Sequence, residues 1–370
     1  MRSKEIIEKI LESADVKING NRPWDIKILD ERIYNRVISQ GTLGLGEAYM
    51  DGWWECQQLD EMVNRVVRLS DIKALYKNLA SVLHIVKSRL LNLQTKSGSK
   101  KVALEHYDLG NDLYRAFLDP YIQYSCGYWK DTLDLNVAQE QKLDLICKKL
   151  DLKATDTLLD IGCGWGGLAK YAAEKYGCHV TGITISKEQA EFARKFTDKL
   201  SVEIKTEDYR DISGKYDKVV SVGMFEHVGG KNYRKIMRVV KDHLSEDGLF
   251  LLHTIGRSRT SAGSEPWLTK YIFPNSVLPS ESQISSAFHG LFVMEDWHNF
   301  GQYYDKTTVA WWKNFDKAWP NFQKKYGQRF YRMFRYYLLS CAGLFRARDT
   351  QLWQIVLSPK GVLGGYKSVR

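Results

Sequence analysis

Two ionisable residues and a cluster of glycines are spaced so that a strand-based fold would bring them to one edge. Glu226 follows the apolar run Lys218–Val222, and His253 lies within the run Leu249–Thr254. A carboxylate can take or orient a proton, and a neutral imidazole can donate or accept one. A third apolar run, Leu158–Ile161, ends in Gly162, Gly164, Gly166 and Gly167, and helical spacing resumes at once. Such a turn lets the backbone approach a ligand closely, and the helix start behind it offers unpaired N–H groups to an anion. A lone histidine near a strand end is usually a satisfied structural group. Two ionisable groups converging on the edge that carries a glycine turn read as well as a site as they do as structural groups. Cys126 reads either as a nucleophile or as a small buried hydrophobe with a weak donor.

The glycine turn poses a choice of ligand. Gly162, Gly164 and Gly167 fit the spacing of a dinucleotide-binding turn, which also needs an acid at the end of the second strand to hold a ribose. Here His179–Ile183 runs into Thr184–Gln189 with no acid at the strand end. The stretch Asp160–Gly166 instead resembles motif I of S-adenosylmethionine (SAM)-dependent methyltransferases. A tight turn without a ligand is the bland alternative, and the strand–turn–helix context weighs against it.

The elements that must position these residues can be read along the chain. Candidate strands are 158–161, 179–183, 202–205, 218–222, 249–254, 291–294 and 353–357, with helices between the first five. This pattern implies an α/β chain with a seven-stranded, Rossmann-like methyltransferase fold. The last two strands are separated by a long insert rich in Tyr303, Tyr304, Trp311, Trp312, Phe315 and Trp319, continued by an apolar helix over 330–345. The insert builds either an apolar substrate channel or an additional helical layer. Helical spacing over 4–11, 59–69 and 75–93 implies a small, mostly helical N-terminal domain, residues 1–93. The polar stretch 94–103 is read as a linker, and 104–370 as the catalytic domain.

Composition bounds the remaining choices. The six cysteines, at 56, 126, 147, 163, 178 and 341, show no regular pairing and no zinc-ribbon spacing. No metal site is expected, and a reducing cytoplasm is the default. A formal charge of +10 favours an anionic partner. Five basic residues and no acid lie between Lys87 and Lys101, and ten against one acid between Lys306 and Arg348. These runs serve a membrane or nucleic-acid surface, or are solvated helix faces. No span is apolar enough to cross a membrane. Asp119-Pro120-Tyr121 lacks the second proline of the catalytic loop in amino-group DNA methyltransferases, so no nucleic-acid partner is expected.

Taken together, His106–Asp112, Gln123–Cys126, Leu159–Leu168, Gly182–Ser186, Ser221–Gly229, Leu251–Gly256 and Asp296–Gly301 resemble the bacterial cyclopropane-fatty-acyl-phospholipid synthase family. Gly41–Cys56 and Cys341–Asp349 extend the likeness over nearly the whole chain. Gly127 departs from it, because the family pattern has alanine there. The resemblance implies SAM-dependent methylenation of cis double bonds in membrane phospholipids, through a carbocation deprotonated by bound bicarbonate. The implied bicarbonate cage is Cys126, Glu226, His253, the backbone N–H of Ile255, and Tyr304. For SAM, the resemblance implies Gly162, Gly164 and Gly166 behind the methionine part and Tyr124 with Ser125 as a lid. Thr184 and Gln189 take the place of the missing ribose acid. Asp208 and Tyr209 flank the adenine, although Tyr209 reads equally well as a core aromatic. A homodimer on the anionic inner face of the cytoplasmic membrane is expected, with the N-terminal domain and its Trp53-Trp54 pair engaging lipid or the second subunit.

Overall fold

The computed structural model describes residues 3–69, 110–260 and 265–370. The expected helix at 75–93, the linker at 94–103 and residues 106–109 lie outside them. The chain divides into two compact units. One comprises Met1–Leu91, Ala262–Pro274 and Tyr304–Thr350, and the other Asn92–Ser261, Asn275–Tyr303 and Gln351–Arg370.

The second unit is built on one seven-stranded sheet. Its strands are β1 (Thr157–Ile161), β2 (His179–Thr184), β3 (Val202–Thr206), β4 (Tyr216–Val222), β5 (Leu244–Gly256), β6 (Val293–Asn299) and β7 (Gln351–Ser358), in the spatial order β3-β2-β1-β4-β5-β7-β6. The strands from β3 to β5 are parallel, while β7 pairs antiparallel with both β5 and β6. The helices that cover it include α1 (Leu135–Lys149), α2 (Gly167–Tyr176), α3 (Lys187–Phe196), α4 (Tyr233–His243) and α5 (Glu281–Phe288).

The central strands read as unbroken apolar runs because both faces of the sheet are covered. Successive side chains point to opposite faces. Leu158, Val220 and Leu251 join Leu143, Ile146, Leu168 and Ala172 on the face under α1 and α2. Leu159, Val219 and Leu252 join Ile236, Met237, Val240 and Ile284 on the face under α4 and α5. The expected sheet is therefore present. β6 differs in position, running to Asn299 instead of ending at Met294. Its polar residues do not read as a strand, but the register against β7 slips between Met294 and Asp296, and Asp296 is buried against Lys149 and Arg370.

The chain passes from β1 outward through β2 and β3, then returns to β4 on the other side of β1. The strand order thus reverses between β1 and β4. In open α/β sheets ligands bind at such a reversal, outside the carboxyl ends of the strands.

In the first unit the glycine-punctuated segment is a helix, Arg32–Met50, broken at Gly41 where φ is 59°. Trp267 lies where a side chain on Gly46 would be. The helix Gln323–Arg346 is tied to the end of Arg32–Met50 and the segment after it by two arginines. Arg332 donates to the Tyr49 and Trp54 carbonyls at 2.6 and 3.0 Å, and Arg335 to those of Cys56 and Gln57 at 3.0 and 2.9 Å. The Tyr336 ring adds contacts to Tyr49 and Trp267, with centroids 5.5 and 4.7 Å away. Residues 304–350, read from sequence as an insert in the catalytic domain, thus pack with the N-terminal helices. Their rings pack on one another, Phe315 on Phe334 at 4.7 Å and Trp319 near Tyr331 at 5.2 Å.

Candidate active site

The glycine turn leaves β1 at the reversal point. Gly162, Gly164 and Gly166 all have positive φ, at 84°, 55° and 81°. The Gly162 and Cys163 N–H groups both donate to the Ile183 carbonyl at 2.9 Å, which fixes the turn against β2. A Cβ on Gly162 would lie 2.9 Å from Met224, whereas one on Gly164 would enter open space. The turn is therefore packed on one side and open on the other, as a cradle for a ligand must be.

Beside it, β2 exits through Thr184 and Gln189, both buried. Thr184 Oγ1 donates to Gln189 Oε1 at 3.0 Å, and Ser186 caps α3 by accepting from the Gln189 N–H. The two residues expected at the ribose position are thus brought together. Asp208 caps a short turn by accepting from the Arg210 N–H at 3.0 Å and pairs with that guanidinium at 3.3 Å. Tyr209 belongs to the apolar core and its buried hydroxyl has no hydrogen-bond partner. Tyr124 packs its ring against Tyr114 and Phe117, with centroids 5.3 and 6.1 Å away, and Tyr114 in turn lies 4.7 Å from Trp165 of the glycine turn.

At the ends of β4 and β5 the expected acid and base residues are both buried. Glu226 Oε1 accepts from the Ile255 N–H at 2.7 Å. The donor that sequence assigns to an oxyanion is therefore engaged by a carboxylate in this structure. The reason is that a buried carboxylate oxygen takes the nearest available N–H. Its second oxygen, Oε2, is buried without a partner; the neighbouring Thr254 hydroxyl donates to the Ile255 carbonyl instead, at 3.1 Å. Burial pushes the Glu226 carboxyl up to about 7.

His253 stands directly opposite Gln354 across the β5–β7 ladder, so the two side chains share a face. Gln354 Nε2 lies 3.2 Å from His253 Nδ1. With the amide so oriented, Nδ1 accepts and the ring carries its proton on Nε2, which is buried and unpartnered. Burial, with the Lys142 and Lys149 charges, holds the imidazole neutral. One orphaned acceptor and one orphaned donor thus lie at the carboxyl edge of adjacent strands, a fit for a small ligand with both kinds of group. Cys126 is fully buried, with Sγ donating to the Gly127 carbonyl at 3.3 Å. It is a small packed donor here. Tyr304 belongs to the helical unit, where its ring lies 4.4 Å from Phe345 and 6.0 Å from Trp311. Among the described residues no cluster is arranged to hold a metal ion.

Sequence reading gave no role to Lys142, Asp160 or Asp119, all buried. The signal was available in α1, where Lys142 falls on the buried stripe between Ala138 and Leu145. A lysine on an apolar stripe is seldom buried without a polar partner.

The burial of Glu226 has a measurable consequence. Its carboxyl binds a proton more tightly in the folded state, at about 7 against 4.5, so folding stability falls as pH rises from about 4.5 through 7. Glu226→Gln removes that dependence. The stability of the variant relative to wild type is expected to rise over this range, by on the order of 2 kcal/mol. Urea denaturation of both proteins at pH 5 and 7.5 measures it, and a difference that does not change with pH would contradict the burial described.

A family model described as mycolic acid cyclopropane synthetase matches residues 94–355. The chain is 50% identical to cyclopropane-fatty-acyl-phospholipid synthase of Escherichia coli strain K12, over 99% of this chain and 95% of that protein. It is 35% identical to cyclopropane mycolic acid synthase 3 of Mycobacterium tuberculosis, over 68% and 94%. The crystal structure of mycolic acid cyclopropane synthase CmaA1 complexed with SAH and CTAB is similar at a TM-score of 0.66 and 30% identity, over 70% of this chain and 97% of that one. With the cradle at the strand reversal and the match over most of its length, the chain belongs to the mycolic acid cyclopropane synthetase family.

Proposed function

We propose that the protein transfers a methylene group from SAM to the cis double bond of unsaturated acyl chains in membrane phospholipids, forming a cyclopropane ring. The observation that carries this reading is the pair of orphaned buried atoms, Glu226 Oε2 and His253 Nε2, at the strand edge that also bears the glycine cradle. SAM supplies an electrophilic methyl group. An isolated alkene is a poor nucleophile, so the protein's task is to hold it against that methyl in a dry pocket. Methyl transfer leaves a positive charge on the acyl chain, and loss of a proton from the added methyl closes the ring. Bound bicarbonate would supply the base for that proton.

The residues fit such an anion. His253 Nε2 would donate to its oxyanion, and Glu226 Oε2 would accept from its hydroxyl and so orient it. For the Ile255 N–H to join them, it must exchange its present bond to Glu226. Cys126 contributes packing and a weak donor, and the resemblance adds Tyr304. On the cofactor side, Gly162, Gly164 and Gly166 back the methionine part, Tyr124 and Ser125 cover it, Thr184 with Gln189 hold the ribose, and Asp208 with Tyr209 flank the adenine.

The substrate reading carries a location with it. No helix among the described residues is long and apolar enough to cross a membrane. The surplus of ten positive charges favours an anionic phospholipid surface. We infer a homodimer bound peripherally to the inner face of the cytoplasmic membrane, with the N-terminal domain engaging lipid or the second subunit.

The test is mass spectrometry of unsaturated phospholipid vesicles incubated with the protein and SAM, with and without added bicarbonate. A gain of one CH₂ per double bond, inert to bromination and dependent on bicarbonate, is expected. An unchanged lipid under conditions where SAM binds would overturn the function, and ring formation independent of bicarbonate would overturn the base.

A further inference from the structure

Behind the segment that covers the cofactor lies a lysine that the reaction as described does not use. Lys142 is fully buried in α1. Its Nζ donates to Ser125 Oγ at 2.9 Å and also to Gln123 Oε1. One turn earlier on the same helix, Gln139 Nε2 donates to the Ser125 carbonyl at 2.8 Å. Within the segment itself, Asp119 accepts from the N–H groups of Tyr121 and Gln123, each at 2.8 Å. Residues 119–125 thus fold on their own aspartate and are held from α1 by two buried side chains, Lys142 and Gln139, whose burial costs free energy that such bonds offset.

The hydrogen-bond arithmetic at Ser125 is specific. Its oxygen accepts from an ammonium with no proton to take in return, so the serine's own O–H is left to donate. Among the described residues no other group receives it. The anionic group of SAM is the carboxylate of its methionine part, which is what a polarised hydroxyl donor recognises.

We propose that Lys142 is a positioning residue for the cofactor, holding Ser125 so that its hydroxyl donates to the methionine carboxylate. The inference rests on the SAM reading above. The charged and titratable groups around Lys142 are Asp119 on the preceding loop, Asp160 on β1, Cys126 on the covering segment and His253 on β5. Burial lowers the lysine to about 8, so its positive charge is lost as pH rises through that value.

Isothermal titration with S-adenosylhomocysteine, without lipid, tests this apart from catalysis. Lys142→Met and Ser125→Ala are each expected to weaken binding about tenfold or more, the scale of one charge-assisted hydrogen bond. The double variant is expected to lose no more than the larger single effect, because both changes break one unit. Wild-type affinity is expected to fall between pH 7 and 9 relative to Lys142→Met, which keeps only the ligand's own titration. Wild-type binding by Lys142→Met, or additive losses in the double variant, would overturn the proposal. If Lys142→Met does not fold, Ser125→Ala decides: it should lose the alkaline fall, and retention of that fall overturns the proposal. A wild-type protein that binds no S-adenosylhomocysteine would instead remove the cofactor reading itself.

Discussion

Glu226→Gln is expected to slow cyclopropane formation by about 10²- to 10⁴-fold, the range for losing one positioned acid–base group, while S-adenosylhomocysteine affinity stays within about twofold of wild type. The substitution isolates the chemistry because it preserves shape. The amide oxygen can still accept from the Ile255 N–H that Glu226 Oε1 receives at 2.7 Å. What changes is the other end, where the unpartnered Oε2 becomes an NH₂ that donates and no longer accepts. A hydroxyl that must be oriented by an acceptor then loses its anchor, and the base faces the substrate in many orientations instead of one. Folding should not suffer, since a neutral amide is easier to bury than a carboxylate. Rates are read by mass spectrometry of the vesicle lipids at saturating SAM. A variant that retains more than about half of the wild-type rate would remove Glu226 from the reaction.

Alanine at two glycines of the β1–α2 turn is expected to separate strain from ligand contact. At Gly162, φ is 84° and an added Cβ meets Met224 Cβ at 2.9 Å. The left-handed backbone costs about 1–2 kcal/mol for a residue with a side chain, and the overlap adds roughly 1 kcal/mol or more. Gly162→Ala should therefore lower stability by about 2–4 kcal/mol and weaken S-adenosylhomocysteine binding as the turn shifts. At Gly164, φ is 55° and no atom lies within 4 Å of an added Cβ. Gly164→Ala should cost only about 1–2 kcal/mol of stability, yet it places a methyl group on the open side of the cradle. We expect it to weaken binding at least tenfold. Chemical denaturation and titration calorimetry on the two variants measure both quantities. Full affinity in Gly164→Ala would mean that the ligand does not lie against this turn.

The parts of the protein legible in its sequence are those decided by neighbours along the chain. Leu158–Ile161 and Lys218–Val222 are strands because a sheet covered on both faces demands unbroken apolar runs. The glycine turn is visible because only glycine takes positive φ without strain at three alternate positions, as at 162, 164 and 166. Once those strands are placed, the rule that ligands sit at their carboxyl ends brings Glu226 and His253 to the same edge. What only the tertiary structure decided depends on partners far apart in the sequence. The Ile255 N–H, expected to face an anion, is engaged by Glu226, 29 positions away. Arg332 and Arg335 draw the aromatic insert to the N-terminal helices through carbonyls at Tyr49, Trp54 and Cys56, which no local pattern announces. Lys142 falls on the buried stripe of α1, but its partner Ser125 comes from another segment. Local periodicity records which face of an element is buried, whereas the partner of a buried polar group is known only when a second segment arrives to supply it.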